Sequence, residues 1–66
     1  MKNDDQFRAY VSYQARADDA QHGEMMPWVA TEKAAVDAAQ ARGAELLALG
    51  RVGVAYRIQT QTVISL

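Results

Sequence analysis

The chain contains no cysteine, so neither a disulfide framework nor a thiolate metal site is open to it. Its one histidine, His22, sits beside Gly23 in a stretch with Asp18 and Asp19, and no second histidine exists for an imidazole metal site or a nucleophile–base pair. The four glycines follow neither the dinucleotide-binding nor the P-loop spacing, so phosphate cradling has no support. No catalytic set, no metal site and no cofactor is therefore expected. No apolar run approaches the roughly 18 residues that span a bilayer. The opening MKNDDQFRAY has two aspartates and no apolar core, unlike a secretory signal, so a cytoplasmic location is the expectation. A net charge of −1 gives no overall attraction to nucleic acid or anionic membranes.

Half of the 66 residues are hydrophobic and 23% are charged, a globular balance in a chain near the lower size limit for folding without staples. One domain over residues 1–66 is expected, with residues 1–5 frayed and disordered. The organising stretch is TEKAAVDAAQARGAELLAL, from Thr31 to Leu49. Thr31 is placed to cap a helix, Glu32 suits its positive end, and Val36, Ala39, Gly43, Leu46, Leu47 and Gly50 fall on one stripe. Gly43 costs a helix about 1 kcal/mol relative to alanine, but good helix formers follow it and Gly50 supplies a stop. The spacing favours one helix to about Leu49, the alternative being a helix that ends at Arg42 with Gly43 as its C′ residue.

Around it lie strands. Phe7 to Ala15 alternates, with Phe7, Ala9, Val11, Tyr13 and Ala15 inward and Arg8, Tyr10, Ser12, Gln14 and Arg16 outward. Ala17 to Gly23 reads as a loop, and Glu24 to Ala30 as a second strand that Pro27 confines to an edge or bulges. Arg51 to Ile58 alternates again, Val52, Val54, Tyr56 and Ile58 inward. Val63-Ile64-Ser65-Leu66 is either a fourth strand or the tail of a long third one. The expected fold is α+β: a small antiparallel sheet in the order strand, strand, helix, strand, with the helix on one face and the other face open.

Four of the five arginines, Arg8, Arg16, Arg51 and Arg57, are predicted on that open face together with Tyr10, and no acid joins them. Arg8, Tyr10, Arg16, Arg51 and Arg57 form the candidate partner-binding set. Guanidinium groups recognise carboxylates in bidentate fashion, which points to an acidic protein surface. Single-stranded nucleic acid stacking on Tyr10 is the alternative, weakened by having one aromatic where a sheet platform offers several. Met25, Met26 and Trp28 on the edge strand, or the apolar C-terminal strand, are the routes to a homodimer.

A hairpin, an alanine-rich helix from Thr31 to Ala39 onward, a terminal strand and no catalytic set: this plan resembles the very small proteins of phages and mobile elements, anti-CRISPR inhibitors among them. The resemblance rests on overall plan and on no motif. It implies a non-enzymatic inhibitor, acting in the host cytoplasm, that binds a host nuclease complex and blocks nucleic-acid access or a conformational step. The other class of function is a small nucleic-acid-binding or regulatory domain using the arginine face.

Overall fold

A computed structural model describes the backbone of residues 2–65 and the side chains of 4–64. Strand β1 (Lys2–Gln14) runs up the middle of a three-stranded antiparallel sheet, flanked by β2 (Gln21–Met25) on one side and β3 (Val52–Ser65) on the other. Helix α1 (Glu32–Ala48) crosses one face, over β1 and β3. The expected α+β class and helix-on-one-face layout are what the chain adopts.

The helix starts and stops as its caps dictate. Thr31 is extended, and its hydroxyl accepts from the Ala34 N–H at 3.1 Å. At the other end Gly50 adopts φ +81°, its N–H donates to the Leu47 carbonyl, and the Arg51 N–H donates to the Leu46 carbonyl. This is the Schellman closure that glycine makes without steric cost. Gly43 lies inside the unbroken helix and not at its end.

Ala9 and Val11 of β1 and Ala35, Ala39 and Leu46 of α1 are the buried core, with Tyr13, Met26, Val54 and Ile58 packed around it. Alanine dominates because helix and sheet approach closely: a Cβ at Gly43 would rest 3.5 Å from Val54 Cγ1. The buried helical stripe is Ala35, Ala39, Leu46, and Leu47, expected within it, is 62% exposed.

Strand boundaries depart from the alternation at β1 and β2, and at β3 they decide between the two alternatives. β1 begins at Lys2 and not at Phe7, because residues 2–6 pair with 61–65 of β3. The polar stretch read as frayed is thus strand wherever it is described; Met1 lies outside the described residues. β3 runs without a break to Ser65, so among the described residues there is no fourth strand, and Leu66 lies outside them. β2 begins at Gln21 and stops before Pro27, where a loop to Gly23 and a strand from Glu24 to Ala30 were expected. Just before the proline the Met26 N–H donates to the Ala9 carbonyl, and past it Phe7 and Val29 exchange both backbone hydrogen bonds. Pro27 sits where no ladder donor is needed, on an edge strand.

One irregularity controls which side chains share a face. Between Ser12↔Ala55 and Gln14↔Val52, β3 carries one residue more than β1, and Gly53 there has φ +62°. This glycine-dependent bulge shifts the alternation by one. Val52, expected inward with Val54, is opposite Gln14 on the open side and 38% exposed.

The two long strands make the molecule elongated, 49 × 20 × 12 Å. Its radius of gyration of 14.1 Å exceeds the roughly 11 Å of a compact chain this size. Helix and β2 cover one half of the β1–β3 ribbon; the other half projects as two bare strands.

Candidate functional site

Cross-strand partners lie on the same side of a sheet, so the register builds the open face row by row. Met25, Tyr10 and Arg57 form one row across all three strands. Gly23, Ser12 and Ala55 form the next, and Arg8 and Gln59 lie on the other side of the first. The large-residue row beside the small-residue row leaves a hollow of about 420 Å³, lined by Tyr10 and Ser12 of β1, Gln21 of β2, and Ala55, Tyr56 and Arg57 of β3.

Gly23 has a definite part in this. A Cβ there would overlap the Tyr10 hydroxyl and ring, so the hydroxyl end of Tyr10 reaches over the glycine at the β2 side of the hollow. Aromatic cover of a strand glycine also protects the ladder that glycine weakens. Arg57 carries its guanidinium carbon 5.1 Å from the Tyr10 ring centroid, and that of Arg8 lies 4.3 Å from the Trp28 ring. Arg8 is held further by donating from Nε to Gln59 Oε1 at 2.8 Å. Two cations are thus spread over two rings, with donors left for a ligand.

Of the five candidate residues the structure brings three together. Arg8, Tyr10 and Arg57 share the open face. Arg16 lies past the end of β1, in the turn where its carbonyl accepts from the Asp19 N–H. Arg51 precedes β3, its N–H closing the helix end, because the Gly50 turn and the Gly53 bulge take it off the strand alternation. The face is also not free of acid: with β1 extended to Lys2, Asp4 falls at the same alternation as Arg8 and Tyr10, opposite Val63.

Met25 and Trp28 were missed as members of this face. Met25 is 52% exposed opposite Tyr10, Trp28 lies half-buried against Arg8, and Met26 turns to the core. The three residues grouped as one edge patch therefore separate. Alternation from Met26 as an inward residue would have put Met25 outward.

The helix side of the sheet holds the other polar cluster. Glu24, paired with Val11, accepts from Arg42 Nε at 2.9 Å and Nη2 at 2.8 Å, and from Tyr13 Oη at 3.3 Å; Arg42 also reaches Glu45 at 3.1 Å. The hydrogen bonds from Arg42 hold the Glu24 carboxyl below its ordinary range against the opposing push of burial, and Arg42 is raised in turn, chiefly by Glu24. His22, expected in a loop, belongs to β2 and stacks on Tyr13 with centroids 5.5 Å apart. Tyr13, His22 and the Glu24–Arg42 clamp tie helix to edge strand. Among the described residues no three His, Cys, Asp or Glu side chains gather as a metal site requires, and no helix is long and apolar enough to cross a membrane.

No protein-family model, no curated protein and no solved structure matches this chain.

Proposed function

We propose that the chain is a non-catalytic protein-binding module whose docking surface is the open face centred on Met25, Tyr10 and Arg57, with Arg8 and Trp28 beside them. The observation that carries the reading is the pairing of each cation with a ring. Arginine, tyrosine, tryptophan and methionine are the residues in which protein interfaces are enriched, and a hollow between an anchor row and a small-residue row accepts a protruding side chain. Guanidinium groups pre-arranged over rings lose little freedom on meeting a carboxylate, so an acidic protein surface is the partner chemistry that fits.

Nucleic acid fits less well. Arg57 and Arg8 already occupy faces of Tyr10 and Trp28 on which bases would stack, and Asp4 shares the surface. In its specific form the proposal is a small inhibitor of the phage type that occupies a host nuclease complex in the cytoplasm and denies it nucleic acid or a conformational step.

The test is affinity capture from host lysate with the wild type beside an Arg8→Glu, Arg57→Glu variant of unchanged circular dichroism. A defined partner retained by the wild type and lost by the variant is expected. An identical partner set sinks the reading. Oligonucleotide binding at low salt that falls steeply as salt rises transfers the face to the nucleic-acid class.

A further inference from the structure

The outer edge of β3 points to a second copy of this chain, and we infer that two copies pair antiparallel along it into one six-stranded sheet. The inference goes beyond the docking face and does not depend on it.

Backbone polarity gives the first reason. Phe7 uses both its N–H and its C=O on Val29, and the Ala9 carbonyl accepts from Met26. These groups of β1 therefore point away from β3, and in an antiparallel ladder their partners Thr60 and Ile58 point their own N–H and C=O outward. Period two extends this to Tyr56, Thr62 and Ile64. A run of backbone donors and acceptors from Tyr56 to Ile64 thus lies along a strand that, among the described residues, has no neighbour on that side.

Such edges are normally blunted by proline, lysine, inward charge or a covering loop. Here Val52–Ser65 contains neither proline nor lysine, and its one charge, Arg57, is on the open face. The edge is instead bordered by apolar surface. Tyr56 is 43% and Ile64 57% exposed, and Leu47 is exposed one turn beyond Gly43, on the helix flank that faces Val54.

The area agrees. The chain exposes 4577 Å², whereas a compact monomer of 7.3 kDa exposes roughly 4,200 Å². The excess of about 400 Å² is half of the ~800 Å² each partner gives to a standard interface.

One register uses the whole edge: a two-fold axis at Thr60, which sets Ile58 opposite the partner's Thr62 and Tyr56 opposite the partner's Ile64. Arg57 then faces the partner's Val63, so no like charges are opposed. The two-fold is perpendicular to the sheet and keeps both helices on one side. The bare half of each ribbon comes to lie beside the helix-covered half of the other, and Ile64 is covered by the partner's Tyr56 and Leu47. The two open faces become one continuous surface, which presents the Tyr10–Arg57 hollow twice.

Sedimentation equilibrium at micromolar to ~100 μM concentration tests this. Wild type is expected at twice the chain mass. Thr60→Pro, which removes only an outward N–H, is expected at the chain mass with unchanged circular dichroism, and Arg8→Glu, on the central strand and off the seam, is expected to remain dimeric. In case proline disturbs the fold, Thr60→Cys provides the second reading in a chain without cysteine. Opposed Cα atoms about 5.5 Å apart lie within disulfide reach, so mild oxidation gives a covalent dimer at least tenfold faster than in Ala41→Cys on the exposed helix face. A wild type at chain mass throughout overturns the inference. So does a folded Thr60→Pro dimer, dissociation by Arg8→Glu, or equal cross-linking at positions 60 and 41.

Discussion

The two halves of the β1–β3 ribbon are made of the same kind of pairing and are stabilised differently. From residue 7 to 14 of β1, side chains meet α1 and the backbone meets β2 or the segment after it, and Ala9 and Val11 are wholly buried. From residue 2 to 6 the strand has only β3 for company. There the ladder is reinforced by polar side-chain pairs, with Gln61 donating to Gln6 at 2.8 Å and the Thr62 hydroxyl donating to Asp5 at 2.9 Å. An isolated two-stranded ribbon is marginal in water. The bare half therefore depends on the covered half for its register, and on any second copy for its burial.

Breaking the covered half has the largest expected effect. Leu46→Ala opens a cavity beneath the helix, against Ala9 and Val11, and should cost about 2–5 kcal/mol, a large part of the stability of so small a domain. Urea denaturation with the midpoint read at the Trp28 fluorescence measures it. A loss well under 1 kcal/mol would mean that helix and sheet are not joined there.

Sharpening the comparison by pH gives a smaller effect, again confined to the covered half. The folded-state pKa of Glu24 lies below its ordinary value of 4.5 because Arg42 donates to the charged form. The clamp is therefore fully present above about pH 4.5 and is lost as pH falls through the lowered value. Glu24→Gln should lower the melting temperature at pH 7 by less than Leu46→Ala does, and the gap to wild type should narrow below pH 4.5. A gap that stays constant into acid would show that the carboxylate's charge is not what binds the helix to β2.

The smallest effect belongs to the bare half. Gln61→Ala removes one exposed cross-strand hydrogen bond and should change stability by less than about 0.5 kcal/mol. A loss comparable to that of Leu46→Ala would make the ribbon end part of the cooperative core.

How much of this was legible follows from what each signal depends on. The helix start was, because Thr31 and Glu32 act on the first turn alone; the stop lay open between Gly43 and Gly50, and burial of Leu46 in the core carries the helix through Gly43. The inward set Ala9 and Val11 was legible from period two. The strand ends were not: Asp4 and Asp5 have poor strand propensity, and only pairing with Thr62 and Val63 some sixty residues away makes them strand. Nor was the parity change at Gly53, since a glycine in a strand does not announce whether it bulges. That change is why Arg51 left the candidate face, and the register that sets Met25 opposite Tyr10 is why Met25 joined it.

By itself, then, the sequence determined the α+β class, the helix with its N-terminal cap, the open face carrying Arg8, Tyr10 and Arg57, and a proline segment confined to an edge or a bulge. All are set by local bonding or by periodicity, which need no knowledge of distant partners. Only the tertiary structure decided the register that places Met25, Tyr10 and Arg57 in one row and seats Tyr10 over Gly23. It alone decided that β3 continues to Ser65 with its edge uncovered. Register is a property of two strands at once, and neither strand carries it alone.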